Sequence, residues 1–177
     1  MILNAVEKEY PIINQAANDF LNELSGNDIM RDIALAAEMA GLKLLRAADI
    51  NLSGLSPGQI ILGAIDDSTF EQINRFVFGW ALSNGLDPTI QEANIPKHAK
   101  NYLPEVVQLE PAFDKICERN GIKSELVPFV AITAALKLVF AGQKLGLLDA
   151  STGLAMVLYH IIAGSKTVPY PLSTDEQ

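Results

Sequence analysis

Apolar positions recur with a helical period along most of the chain. Ile12, Ile13, Ala16, Ala17, Phe20, Leu21 and Leu24 follow i, i+3/i+4 and i+7 spacing, with Asn14, Gln15, Asn18, Asp19, Asn22 and Glu23 opposite. That spacing marks one buried helix face. Pro11 suits the first turn of this helix and Gly26 its end. A second helix is expected from a cap at Asn27 to about Ala48, with Ile29, Ile33, Ala36, Ala37, Ala40 and Leu44 inward. Its alanines and Gly41 would let a neighbouring helix approach closely. Ser56-Pro57 reads as the cap and first turn of a short helix ending near Gly63 or Ala64. Asp66, Asp67 and Ser68, with Glu71 three residues after Ser68, predict a capping box for a helix to Asn84, closed by Gly85. Phe70, Ile73, Val77, Trp80 and Ala81 face inward on it, and Phe78 and Leu82 add a second apolar strip near its end.

Two stretches, residues 126–145 and 153–164, are nearly free of charge and are joined by a Gly-Leu-Leu-Asp turn. Thr133, Lys137 and Lys144 form the only polar line of the first, and His160 alone interrupts the second. Helices of this kind must be covered on most of their circumference. They are expected to start at Ser124 and at Asp149 or Ser151, with Pro128 in the first turn. Neither reads as membrane-spanning, because Lys137 interrupts the first and the second falls short of the ~20 apolar residues that a bilayer core requires. Upstream, Pro96, Pro104 and Pro111 punctuate residues 93–111, which read as irregular, followed by a helix from Pro111 to Asn120. Residues 165–177 read as an extended tail. The expected architecture is all-α: one domain over residues 1–177, seven or eight helices, and an apolar C-terminal hairpin at the centre.

Composition sharpens this picture. Apolar residues make up 49% of the chain and charged residues 19%, which excludes disorder as the general state. The net charge is −8, carried mostly by residues 1–90. Such a surface repels phosphate backbones, so nucleic acid is not expected as a partner, and anionic membrane surfaces are disfavoured for the same reason. The basic cluster Lys97, His98 and Lys100 is too small to reverse that. One cysteine cannot form an internal disulfide, and the first residues lack the pattern of a secretory leader, so a cytoplasmic setting is expected.

The search for chemistry is mostly negative. Dinucleotide, phosphate-loop, nucleophile-elbow, zincin and EF-hand patterns are absent. Gly164-Ser165-Lys166-Thr167 resembles a phosphate loop in composition only, since it follows a helix where a phosphate loop precedes one. One Cys and two His cannot build a usual zinc-finger site, and no Glu stands three residues before either His, so neither a metal nor another cofactor is implied. Asp66, Asp67 and Glu71 are the nearest candidates for a carboxylate-only divalent-cation site, but capping and helix-dipole compensation explain all three without a metal.

Four features carry functional readings beside structural ones. His160, next to Tyr159, is a positioned imidazole lining a pocket or a core histidine bonded to a carbonyl. Glu38 shares a face with Arg31, Leu35, Leu42 and Leu45: covered, it is a desolvated carboxylate, and uncovered, a residue of a solvated face, the simpler account. Lys97, His98, Lys100 and Tyr102 form an anion clamp or lid, or an exposed connector. Cys117 reads as an inert thiol. Two functions follow. The first is a non-catalytic protein that self-associates as a homo-oligomer through the apolar hairpin or the Phe78 and Leu82 strip. The second is a protein that binds or acts on a small apolar ligand near His160, under a lid around His98.

Overall fold

A computed structural model of the chain describes residues 2–24, 26–61, 65–91, 94, 97 and 100–170. Among them the protein is all-α, with six α-helices and one 3-10 turn where seven or eight helices were expected. Helix α1 runs Ile2–Leu21, α2 Ile29–Ala47, α3 Asp67–Ser83, α4 Leu103–Arg119, α5 Val127–Lys144 and α6 Ala150–Ser165. Aspartates begin three of them. Asp28 accepts from the Met30 and Arg31 amides, Asp66 from the Thr69 amide and Asp149 from the Thr152 amide, each satisfying N–H groups that the helix leaves open. The cap of α2 is therefore Asp28, where Asn27 was expected. The box expected from Ser68 and Glu71 does not form, because Ser68 already lies within α3 and Glu71 pairs with Arg75.

Proline placement departs from expectation in two helices. Pro11 lies inside α1, which begins at Ile2, and Pro111 lies inside α4, which begins at Leu103 with Pro104 in its first turn. An internal proline removes one backbone hydrogen bond and crowds the preceding turn, typically costing about 3 kcal/mol. Both prolines are solvent-exposed, while Val6, Ile13, Ala16, Ala17 and Phe20 of α1 and Val106, Val107, Phe113, Ile116 and Cys117 of α4 are buried. Burial on the inward face offsets the local penalty. Residues 103–111, expected to be irregular, are thus helical.

The centre of the molecule belongs to α2. Helices α5 and α6 each pack more extensively on α2 than on each other, so α2 takes the place expected for an apolar hairpin. Residues 32–42 of α2 are buried without interruption, the two acidic side chains Asp32 and Glu38 among them. Asp32 is used locally and accepts from the Gly26 amide. The segment Ser124–Lys144 is long and apolar enough to cross a membrane, and 67% of its apolar window is buried inside the fold, against α1, α2 and α3 among others.

Two glycines set the closest approach in the core. A Cβ on Gly41 of α2 would overlap the Ile161 carbonyl oxygen and stand 2.6 Å from the Ser165 nitrogen of α6. A Cβ on Gly164 of α6 would overlap the Glu38 carbonyl oxygen in return. The α2 and α6 backbones therefore touch directly, the close approach that Gly41 foreshadowed.

The segment before α3 is not the short helix expected from Ser56-Pro57. Gly58 has φ of +80°, and the Gln59 amide donates to the Ser56 carbonyl at 3.0 Å, which makes Ser56 to Gln59 a type II turn. The chain then runs extended beside the residues leaving α6: Gly58 N–H donates to Val168 O, Val168 N–H to Gln59 O, and Ile60 bridges Thr167. Gly63 and Ala64, expected to end that helix, lie outside the described residues, as does the tail beyond Tyr170.

Candidate functional site

The α2–α6 crossing carries a buried hydrogen bond between an imidazole and a carboxyl group. Glu38 lies one turn before Gly41 on α2, and His160 one turn before Gly164 on α6, so the backbone contact at the glycines brings these side chains face to face. His160 Nδ1 stands 2.7 Å from Glu38 Oε1, with the side chains 3% and 2% exposed. An ionised carboxylate only accepts, which assigns the proton to Nδ1 and orients the ring. The Tyr102 amide, at the N-cap of α4, donates to both Glu38 oxygens at 3.1 and 3.3 Å. Glu38 thus sits at the positive end of α4, where a helix favours negative charge. A carboxylate so enclosed would be costly without these donors.

The solvated face expected for Glu38 is not observed. Helix α4, running from Leu103, covers it: Arg31 Nη2 reaches Glu105 at 2.8 Å, and Lys43 Nζ reaches Glu110 at 2.6 Å across the α2–α4 seam. The histidine is a core residue, as its structural reading held, but its partner is a carboxylate where a carbonyl was expected.

Glu38 also lines a groove of about 400 Å³, together with Gly58, Ile60, Lys100, Asn101, Tyr159, Ile162, Ala163, Lys166 and Thr167. Four elements build it: α2 through Glu38, the type II turn and extended strand-like residues after it, the approach to α4, and the last turns of α6 with the residues that follow. Of the residues expected at a site, Glu38, Lys100 and Tyr159 line the groove. His160 and Tyr102 lie behind its wall, with the Tyr159 and His160 rings edge to face at 5.2 Å and the Tyr102 ring 6.1 Å from His160. Lys97 is exposed and does not line the groove, and His98 lies outside the described residues. Sequence reasoning missed Ile60, Asn101, Ile162, Lys166 and Thr167. Lys166 and Thr167 belong to the stretch that resembles a phosphate loop, but they stand at and just past the C-terminal end of α6, where no helix N-terminus offers an amide cradle.

A second groove, about 420 Å³, lies between α1 and α3 and is lined by Leu3, Val6, Tyr10, Phe76 and Trp80 among others. Its charged residues, Glu7 and Arg75, are exposed, and Arg75 is paired with Glu71. It lacks a buried ionisable side chain, so the groove beside Glu38 holds the stronger chemistry. On the same helix, Phe78 is half-buried and Leu82 is 63% exposed. Cys117 is buried, and burial, reinforced by Asp114, pushes its thiol up to about 12, so it is uncharged at neutral pH. Among the described residues no cluster of His, Cys, Asp and Glu is placed to hold a metal ion. No protein-family model, curated protein or solved structure matches the chain.

Proposed function

We propose that the protein binds a small, largely apolar molecule in the groove beside Glu38. The observation that supports this reading is the double role of Glu38, which is a wall of the groove and also the acceptor for His160 and the Tyr102 amide. Pockets of this size with apolar sides and a few fixed polar groups are the usual form of a ligand site. His160 does not itself line the groove, so its part is to hold the Glu38 carboxylate in place. The test is a titration of isotope-labelled protein with octanol and with octanoate, followed by methyl NMR. Shifts are expected at Ile60, Ile162 and Ala163, and Ile162→Glu should abolish them. Absence of shifts with both compounds at millimolar concentration would overturn the reading.

Self-association is the second reading, resting on the exposure of Leu82 beside Phe78. Its original ground, the need to cover the apolar helices, is weakened, since α2 meets that need within one chain. Light scattering decides it: a dimer mass that Leu82→Glu reduces to a monomer supports it, and a monomer at every concentration removes it.

A further inference from the structure

We infer that the groove beside Glu38 selects an amphiphilic organic anion, a carboxylate or equivalent acid carried on a short aliphatic body. This rests on the proposed ligand groove and adds the charge of its occupant. The ionisable side chains on the wall that carry formal charge at neutral pH are Glu38, Lys100 and Lys166. Glu38 is already engaged by His160 Nδ1 and by the Tyr102 amide, so its charge is answered from within the core. The two lysines are less committed. Lys166 has no acidic partner within salt-bridge distance among the described residues, and its ammonium lies 5.6 Å from the Phe70 ring centroid. Lys100, with a side chain 65% exposed, stands 3.3 Å from Glu105, whose other oxygen is held by Arg31 at 2.8 Å. Glu105 is therefore shared between two cations, but Arg31 also lies 3.5 Å from Asp32, so the wall cation left without an acidic partner among the described residues is Lys166, on a chain of net charge −8.

Apolar surface adjoins that charge. Ile60 is 69% and Ile162 42% exposed, large apolar side chains left open to solvent, and both line this same groove. A neutral apolar ligand would use the isoleucines and leave the ammonium groups unanswered, and a simple inorganic anion would do the reverse. Only a molecule with an acid at one end and an aliphatic body answers both. Lys166 also caps the C-terminus of α6, where a cation offsets the helix dipole. That role affects stability and not ligand charge, which makes the two separable.

The experiment compares octanoate, octanol and octylammonium by calorimetry and by the Ile60 and Ile162 methyl shifts, on the parent protein and on Lys100→Gln, Lys166→Gln and the double variant. Octanoate is expected to bind tightest. Each single variant should weaken octanoate by about two- to fivefold, the range for partly exposed charge pairs, and the double variant by roughly tenfold. Octanol should be unaffected, and added salt should weaken octanoate alone. Octanol or octylammonium binding as tightly as octanoate, or octanoate indifferent to both lysine variants, would overturn the anion inference while the groove reading stands. Silence of the methyl groups toward all three compounds would overturn both. Circular dichroism of the variants checks that these surface changes leave the helices intact.

Discussion

The Gly41→Ala substitution tests the packing on which the site depends. The new Cβ would stand 2.6 Å from the Ser165 nitrogen and 2.9 Å from the Gly164 carbonyl carbon, and would overlap the Ile161 carbonyl oxygen. All three are backbone atoms, so no side chain can swing aside. Ordinary contact begins near 3.4 Å, and to clear the Ile161 oxygen α2 and α6 would have to separate by about 1 Å at the crossing. Overpacking of a core usually costs about 1–3 kcal/mol, and a clash between two backbones belongs at the upper end. Alanine regains about 1 kcal/mol of helix propensity, which leaves a net loss of about 2 kcal/mol. For a chain of this size that lowers Tm by roughly 4–8 °C. Urea denaturation followed by far-UV circular dichroism gives the loss. Gly79→Ala is the matched control: Gly79 lies in α3 with open space around it, so the same change should stabilise by about 0.5–1 kcal/mol. Because Gly41 and Glu38 share one turn of α2, G41A should also disturb the His160 ring resonances. Equal stabilisation by G41A and G79A would refute the direct backbone contact and with it this account of how the pair is assembled.

Three further outcomes are expected. Glu38→Ala leaves the Tyr102 amide and His160 Nδ1–H without their acceptor, at about 1–3 kcal/mol for each unsatisfied group; Glu38→Gln keeps an acceptor oxygen and should lose less, and equal losses in urea denaturation would refute the role assigned to the acceptor. Burial pushes the Glu110 carboxyl up, but hydrogen bonds from Arg46 and Lys43 outweigh it and hold it below the usual glutamate range. Its stabilisation is then present above the ordinary glutamate pKa of about 4.3 and is lost as pH falls through the lower folded value, so Glu110→Gln should flatten the acid limb of the stability profile, and an unchanged limb would count against it. The Cys117 thiol, pushed up to about 12 by burial and Asp114, should ignore dithiobis(nitrobenzoate) at neutral pH until urea unfolds the protein; prompt reaction of the native protein would show that the α4 packing opens.

Helix existence was legible wherever a periodic stripe carried the signal, and the apolar pattern of α5 and α6 announced their burial. Failures came where a local signal had two meanings. Ser56-Pro57 is a helix start only if the next residue can stay helical, and Gly58 at positive φ instead completes a type II turn. Pro-Gly is the stronger signal at that place, and reading it would have put Ile60 on an extended segment beside Lys166. The helix choice instead removed one wall of the groove.

The reading of Glu38 failed for a reason that lies elsewhere in the chain. Three prolines between residues 96 and 111 argued for an irregular segment, which left the Arg31, Leu35, Glu38 and Leu42 face of α2 with nothing to cover it. Yet Pro104 stands in the first turn of α4, the position where proline is favoured, and Pro111 is tolerated because its side of the helix faces water. Once α4 starts at Leu103, Glu105 lies where it can take Arg31, Glu110 lies where it can take Lys43, and the Tyr102 amide points at Glu38. The charged residues of that face then have partners on one neighbouring helix, and burial of Glu38 follows from the helix and not from any property of residues 36–40. What remained invisible in sequence is the pairing with His160, separated from Glu38 by 122 positions. Its only local trace is a glycine one turn beyond each partner, Gly41 and Gly164, and a glycine in a helix interior, costing about 1 kcal/mol against alanine, is kept where backbones must meet.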